Sequence, residues 1–533
     1  DSNSERSYRV PTVVRVIRQV ASAFPHNLAS LNELINGTEE AIVIFEPALK
    51  IAEPVSALLT DFEREYFTVL AIPDNDSGDT TVAHQRLLAV QTLDHQITTA
   101  THQLIPAIYI PSTKLKIVRT LISELDKFPN SQIDPIQYLL LGLVRLGEQI
   151  RVLEIDSLPP VNSDPDKLRL QLANRSNDGF FSTFILRKIS KLFTRAALNL
   201  KLKPNFVTVV SFLVGVFAAI EFSRSNYISG AVLLQLSLIL DCVDGEVARY
   251  TKQFSRFGAW LDALSDRVKE FMAIGGLAYS VQDSVKNIWI LATIAVIIQT
   301  VKHISDYDFT AVRESLEVRI SPIPLTQKTD GLTKRKSLKK GGATYWVKKV
   351  IYFPIAERWL LISFGAVAFG PELTLIALIV LGFLSLSYVK LGRVLRSYKW
   401  GDKIKNCDFI DQQGDLGFNL KFSNFRFGWG LSSVLRLIEF VLIVAIFNFD
   451  FSSNLFLLIF VIAIYHYVNL YDSLNKIPPT QRFLGLYLPG RLLLILIVVM
   501  SLGAQTPAIS WLCTYLGLVI IWRGGRRLSA RGN

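Results

Sequence analysis

Ten apolar stretches crowd the chain beyond residue 205, at about Phe206–Phe222, Ile228–Leu240, Trp260–Tyr279, Ile288–Val301, Trp359–Gly370, Leu373–Val389, Leu431–Phe447, Leu455–Val468, Leu492–Leu502 and Ile509–Trp522. A bilayer core offers the backbone no hydrogen-bond partner, so runs of this kind fold there as helices that satisfy themselves. Several fall short of the roughly 20 residues a span requires, so their ends must draw in polar residues, or a few must be re-entrant. With 50% hydrophobic and only 19% charged residues, disorder, collagen and coiled coil are excluded as the main organisation.

Charge follows the spans. The 57 Lys+Arg exceed the 45 Asp+Glu by 12. Threading ten spans from a cytosolic N-terminus puts Tyr250–Arg256, Ser305–Lys349, Lys390–Arg426, Asp472–Arg482 and Arg523–Asn533 on that same side, and these loops hold nearly all the basic residues. The opposite loops, such as Asn226-Tyr227 and Gly503–Pro507, are short and almost uncharged, as the positive-inside rule requires. The run Lys334-Arg335-Lys336 with Lys339-Lys340 therefore reads as a contact for lipid headgroups, not for nucleic acid. Asp1–Arg15 is polar and lacks a signal-peptide core, so the first segment is expected to stay on the side of synthesis. Cys242, Cys407 and Cys513 are far apart and have no nearby His, which supports neither a disulfide framework nor a zinc cluster.

Residues 1–177 read as a soluble α/β domain, with short β-branched runs at Ala41–Phe45, Phe67–Ile72, Ala107–Ile110 and Ile150–Ile155 between helix-like stretches. The turn-rich Leu158–Pro165 closes the last strand. Over 178–203, Phe181, Phe184, Ile185, Ile189, Leu192 and Phe193 recur at helical spacing opposite Arg187, Lys188, Lys191 and Arg195, the pattern of a helix lying in the membrane interface.

Charges inside spans are costly and mark function by default. The second span runs into Asp241-Cys242-Val243-Asp244-Gly245-Glu246-Val247-Ala248-Arg249, and the third opens with Gly258-Ala259-Trp260-Leu261-Asp262-Ala263-Leu264-Ser265-Asp266. Asp241 and Asp244 lie three residues apart and Asp262 and Asp266 four, so each pair projects from one helical face. Two helices joined by the short Tyr250–Phe257 turn can bring the four carboxylates together, where they would repel unless protonated or neutralised by cations. Oxygen ligands without His or Cys suit Mg²⁺, Mn²⁺ or Ca²⁺, and a paired-metal site would clamp a transferring phosphoryl group. Gly245, Ala248 and Gly258 leave room for a bulky ligand, and Arg249 adds a fixed cation for phosphate.

The order D-x2-D-G-x2-A-R-x8-G-x3-D-x3-D resembles the signature of the CDP-alcohol phosphotransferases, and Asp241, Asp244, Gly245, Ala248, Arg249, Gly258, Asp262 and Asp266 fill all its fixed positions. Lys203-Pro204-Asn205-Phe206-Val207-Thr208 is similar to the family's entry to its first span. The resemblance implies a six-span membrane core over 204–400; with about four further spans over 401–533 and the N-terminal α/β domain, the chain reads as a polytopic α-helical membrane protein. The resemblance also implies an integral enzyme, usually a homodimer, with a cytosolic active site. There an acceptor hydroxyl attacks the β-phosphorus of a CDP-linked alcohol, CMP leaves and a phosphodiester forms. By the same resemblance Asp241, Asp244, Asp262 and Asp266 hold Mg²⁺ or Mn²⁺, expected as two ions, and Asp266 is the candidate general base. Asp241, Gly245, Ala248, Arg249 and Gly258 surround the CDP moiety.

CDP-diacylglycerol is the expected donor and inositol phosphate or another polyol phosphate the expected acceptor, in phospholipid biosynthesis; a soluble donor such as CDP-inositol, or a non-catalytic scaffold, is the alternative. Arg358, Lys390 and Arg393 are candidates for an acceptor-phosphate pocket, or else positive-inside anchors. His303, Asp306 and Asp308 are candidate supporting groups. The linker Asn177-Asp178-Gly179-Phe180-Phe181-Ser182 resembles that of members fused to a nucleotidyltransferase-like domain, di-myo-inositol phosphate phosphate synthases among them. The Gly-rich nucleotide loop of that domain is not found, so an inactive domain is expected. The layout is similar to multidomain actinobacterial members, which implies a bacterial cell membrane. Arg436, Glu439 and Arg491 are charges in the later spans with a packing role by default. A transporter would more often show internal repeats, which the chain lacks.

Overall fold

The computed structural model describes residues 15–16, 32, 35–36, 39–45, 55, 58–59, 65–74, 77–83, 86–92, 95–97, 99–125, 135–155, 164–173, 179–251, 253, 255–319, 343–400, 427–474, 482–504 and 507–529. Leu158–Ser163, Asn177-Asp178, the basic run Lys334–Lys340 and Cys407 lie outside the described residues. The chain divides into two units, one of residues Asp1–Leu172 with Val318–Ser337, the other of Ala173–Glu317 with Leu338–Asn533.

The first unit is built on seven strands, β1 (Arg15–Val16), β2 (Ile42–Phe45), β3 (Phe67–Pro73), β4 (Thr80–Ala83), β5 (Arg86–Val90), β6 (His102–Ile110) and β7 (Ile150–Glu154), in the order β1-β2-β6-β3-β7-β5-β4. A further β4–β6 pairing brings the last strand round to the third and makes the sheet barrel-like. Among the described residues only β1–β2 and β3–β7 are parallel; the other ladders are antiparallel. The sheet is apolar on both faces because both are covered. Ile42, Ile44, Phe67, Val69 and Ala71 pack with Val118 and Ile122 of α1 (Leu115–Leu125) and Leu139 and Leu143 of α2 (Pro135–Arg145). The alternate residues Ala41, Val43, Leu70, Ala107 and Tyr109 pack with Leu168 of α3 (Pro165–Leu172). In β6 the register against β3 jumps between Val69↔Ile108 and Leu70↔Ile105, a bulge that takes Pro106, which has no N–H to donate, out of that ladder.

The second unit is helical. A π-helical turn, Ser182–Leu186, leads into α4 (Arg187–Asn199). Then come α5 (Pro204–Ser223), α6 (Tyr227–Thr251), α7 (Arg256–Ser280), α8 (Ile288–Arg319), α9 (Ala343–Tyr352), α10 (Ile355–Ala368), α11 (Gly370–Trp400), α12 (Leu431–Ile446), α13 (Ser453–Leu474), α14 (Tyr487–Leu502) and α15 (Pro507–Ser529). All ten expected apolar stretches fall on these helices. Among the described residues eight helices are long and apolar enough to cross a membrane, and the α9–α10 pair, bent by 70° at its break, is a ninth candidate. Pro354 explains the break, since it has no N–H to continue a ladder. Helix α7 has the length of a span but stays outside that set, because Asp262, Asp266, Arg267, Lys269 and Glu270 lie along it. The chain is a polytopic helical membrane protein in which the motif is shared between one apolar span, α6, and the more polar helix α7.

Lipid-facing and inward-facing residues are sorted as a bilayer demands. On α5 the side chains of Phe206, Val209, Leu213 and Phe217, at i, i+3, i+7 and i+11, are exposed, whereas Ser211, Gly215, Ala218 and Ala219 are buried. Small residues let backbones approach: a Cβ on Gly276 would come within 2.5 Å of the Ala219 carbonyl oxygen. Helices α6 and α7 both pack along α5, and α7 also packs against α13 and α15 of the C-terminal spans. Those spans carry their own buried network. Arg491 donates to Glu439 (Nε–Oε1 2.8 Å), His466 contacts the other Glu439 oxygen at 2.8 Å, and Arg523 pairs with Asp472 and Asn469.

Candidate metal centre

The end of α6 and the start of α7 are separated by four residues, and this short connection sets the motif's two halves side by side. Ser255 caps α7, its Oγ accepting the Gly258 N–H at 2.9 Å. A Cβ on Gly258 would lie 2.5 Å from Asn205 Oδ1 at the start of α5 and 2.8 Å from Ser255 Oγ, so a larger residue would displace both side chains. Asp241 and Asp244 from α6 and Asp262 from α7 each offer a carboxylate oxygen, and the three oxygens lie within 4.8 Å of one another. Asp244 is buried and accepts Thr208 Oγ1–H of α5 at 2.6 Å, so its orientation is fixed from a third helix.

Asp266, one turn beyond Asp262, stands outside this trio and faces Lys269 instead. The Lys269 Nζ is 3.2 Å from Asp266 Oδ1, 2.8 Å from Asp241 Oδ1 and 3.0 Å from Ser211 Oγ, and the side chain is fully buried. Arg249 folds over Gly245, where a Cβ would lie 3.0 Å from its Nη1, and its Nε donates to the Ala173 carbonyl. Gly245, Ala248, Arg249 and Gly258 are all partly open to the surroundings, while Asp244 beneath them is buried. Three converging hard oxygens without a nitrogen or sulfur donor fit Mg²⁺ or Mn²⁺.

Around the trio are groups that spacing alone does not single out. Glu246 lies inside the motif but turns away from the aspartates: Arg187 (2.8 Å), Ser190 (2.8 Å) and Thr194 (2.6 Å), all on α4, converge on its fully buried carboxylate. The inward face of α4 is thus polar, and Phe184, Ile185, Leu192 and Phe193 on this segment are exposed. Replacing Glu246 by alanine strands Arg187 and should cost about 3–5 kcal/mol. Limited proteolysis of detergent-solubilised protein should then show α4 cut before α5–α7.

Of the candidate acceptor residues, Arg358 on α10 is buried with its fork on Glu270 (Nε–Oε1 2.6 Å, Nη2–Oε2 3.0 Å), and its Nη1 donates to the Phe353 carbonyl. Arg393 on α11 pairs with Asp306 and lies 3.3 Å from Ser305 Oγ. Lys390 donates to Ser433 at 2.9 Å and sits over the Trp429 ring. His303 contacts Tyr467 Oη of α13 at 2.8 Å, and Asp308 is buried. Glu270, Lys269 and Thr208 are absent from the expected set; the first two carried a readable signal as charges within a span.

The sequence model of the CDP-alcohol phosphatidyltransferase family matches residues 201–323, which contain α5, α6, α7 and the whole aspartate motif. This segment is similar to a CDP-alcohol phosphatidyltransferase domain. The chain is 39% identical over 107 residues to the bifunctional IPC transferase and DIPP synthase of Aquifex aeolicus, covering 20% of this chain and 24% of that protein. It is 35% identical over 80 residues to the archaetidylinositol phosphate synthase of Pyrococcus horikoshii, 15% of this chain and 43% of the other. To the phosphatidylinositol phosphate synthase of Mycobacterium marinum it is 30% identical over 101 residues, 19% and 43%. The matches thus span about a quarter of the first relative and less than half of the other two. Each of these relatives is named for a transferase or synthase activity.

Proposed function

We propose that the protein moves a substituted phosphate from a CDP-linked alcohol, CDP-diacylglycerol, to the hydroxyl of a polyol phosphate such as inositol phosphate. The observation that carries this reading is the convergence of Asp241, Asp244 and Asp262 within 4.8 Å inside the matched segment. The acceptor oxygen bonds to the β-phosphorus, the bond from that phosphorus to the CMP oxygen breaks, CMP leaves with the electron pair, and the hydroxyl proton passes to Asp266. A divalent ion held by the aspartates supplies neutralisation of the diphosphate charge when bound. Thr208 holds the Asp244 carboxylate in place for it. Gly245, Ala248 and Gly258 give the cytidine diphosphate room, and Arg249, one turn from Gly245, contributes a cation for phosphate. Arg393 and Lys390 are the candidate cations for the acceptor phosphate, whereas Arg358, buried on Glu270, supports that side by holding α10 to α7. The site lies on the cytosolic side, where the positive-inside rule puts the basic loops.

A second reading has a soluble donor such as CDP-inositol, favoured by the IPC transferase and DIPP synthase names of several relatives. Purified protein given each donor with inositol phosphate, glycerol phosphate, serine or inositol separates the two. CMP release that needs CDP-diacylglycerol, a phosphorylated polyol and Asp266 supports the first; release with CDP-inositol alone moves the donor. Silence with every donor from folded protein sinks both.

A further inference from the structure

The Lys269 ammonium is built into the aspartate cluster. Its stem crosses α5 at Gly215, where a Cβ would come within 2.6 Å of Lys269 Cδ and 2.7 Å of Cγ, so the notch left by that glycine admits the side chain. Its head reaches Ser211 Oγ, Asp241 Oδ1 and Asp266 Oδ1 at 3.0, 2.8 and 3.2 Å and lies 5.1 Å from the centre of the buried Trp359 ring. A fully buried ammonium has no water to retreat to, so it keeps these carboxylates. An ion bridging Asp241 and Asp266 would have to share their oxygens with Nζ, in a low-dielectric site where like charges repel strongly.

We propose that Lys269 is the second cation of the centre: the donor-free site takes one divalent ion at Asp241, Asp244 and Asp262, and the lysine ammonium occupies the position between Asp241 and Asp266. One divalent ion and one ammonium together set three positive charges against the four carboxyl groups, more than either brings alone. Asp266 is thereby left off the metal and free to take a proton from the acceptor. Lys269 is a positioning residue, acting through Asp241 and Asp266. This rests on the metal-dependent transferase reading above.

The test is Mn²⁺ binding to the full-length chain in detergent without donor, counted by equilibrium binding and read by electron paramagnetic resonance, with CMP release assayed in parallel. Wild type should bind one Mn²⁺ per chain with the spectrum of an isolated ion. Lys269→Met, which keeps the stem and removes the charge, should bind two with the broadened spectrum of a close pair. Asp266→Asn should keep its ion at saturating Mn²⁺, whereas Asp262→Asn should lose it. Two ions in wild type with CMP release intact overturn the inference and leave the function standing; so does a folded Lys269→Met that still binds one, or loss of the ion in Asp266→Asn. No Mn²⁺ in folded wild type overturns the metal centre itself. Should Lys269→Met fail to fold, the wild-type count and the Asp266→Asn result still decide.

Discussion

Asp262→Asn should lower CMP release by at least about a thousandfold while leaving the protein folded, because the loss falls on charge stabilisation at the reacting diphosphate. Asp262 comes from α7 and the other two oxygens from α6, so it is the group that ties the two halves of the motif into one centre. Asparagine keeps the shape and one oxygen but removes the charge, and unfolding temperature should barely move at this partly open position. Chelation should mimic the variant in wild type, and added Mg²⁺ or Mn²⁺ should restore wild type only. Turnover within tenfold of wild type in Asp262→Asn would remove the aspartate trio from the chemistry.

The largest stability effect is expected at Glu270 and Arg358. Both side chains are buried, and the guanidinium fork meets the carboxylate at 2.6 and 3.0 Å. Glu270→Ala leaves the cation without its counter-charge and should cost about 3–5 kcal/mol, and Arg358→Ala about the same from the other side. Removing both as Glu270→Leu with Arg358→Leu should cost less than the sum, since Arg358 is then no longer stranded and only Arg267, 3.1 Å from Glu270 Oε2, loses a partner. A double-mutant cycle on thermal unfolding in detergent measures this. Additive losses would mean that the two residues are not energetically paired.

Much of this architecture is legible in the sequence because the bilayer makes it so. Each apolar run falls on a helix, and the β-branched runs at Ala41–Phe45, Phe67–Ile72, Ala107–Ile110 and Ile150–Ile155 fall on β2, β3, β6 and β7, since burial on both faces demands unbroken hydrophobicity. The β4–β5 hairpin is not legible: Val82 and Leu87 alternate weakly with polar residues, and neither strand carries a distinctive turn signal. The motif's fixed spacing names Asp241, Asp244, Asp262 and Asp266, because local helix geometry sets which of them share a face. It says nothing of which partner each meets across the bundle. Lys269 bridging back to Asp241, Glu246 reaching α4 and Glu270 reaching Arg358 are contacts between residues 28 to 88 positions apart. Only the rule that a charge within a span needs a partner hints at them.

The central claim is tested most directly by following phosphorus. CDP-diacylglycerol labelled at the β-phosphorus should, with Mg²⁺ and inositol phosphate, pass its label wholly into a new lipid phosphodiester and release unlabelled CMP in equal amount. Label appearing in the released nucleotide would mean that a different bond breaks, and would contradict the account.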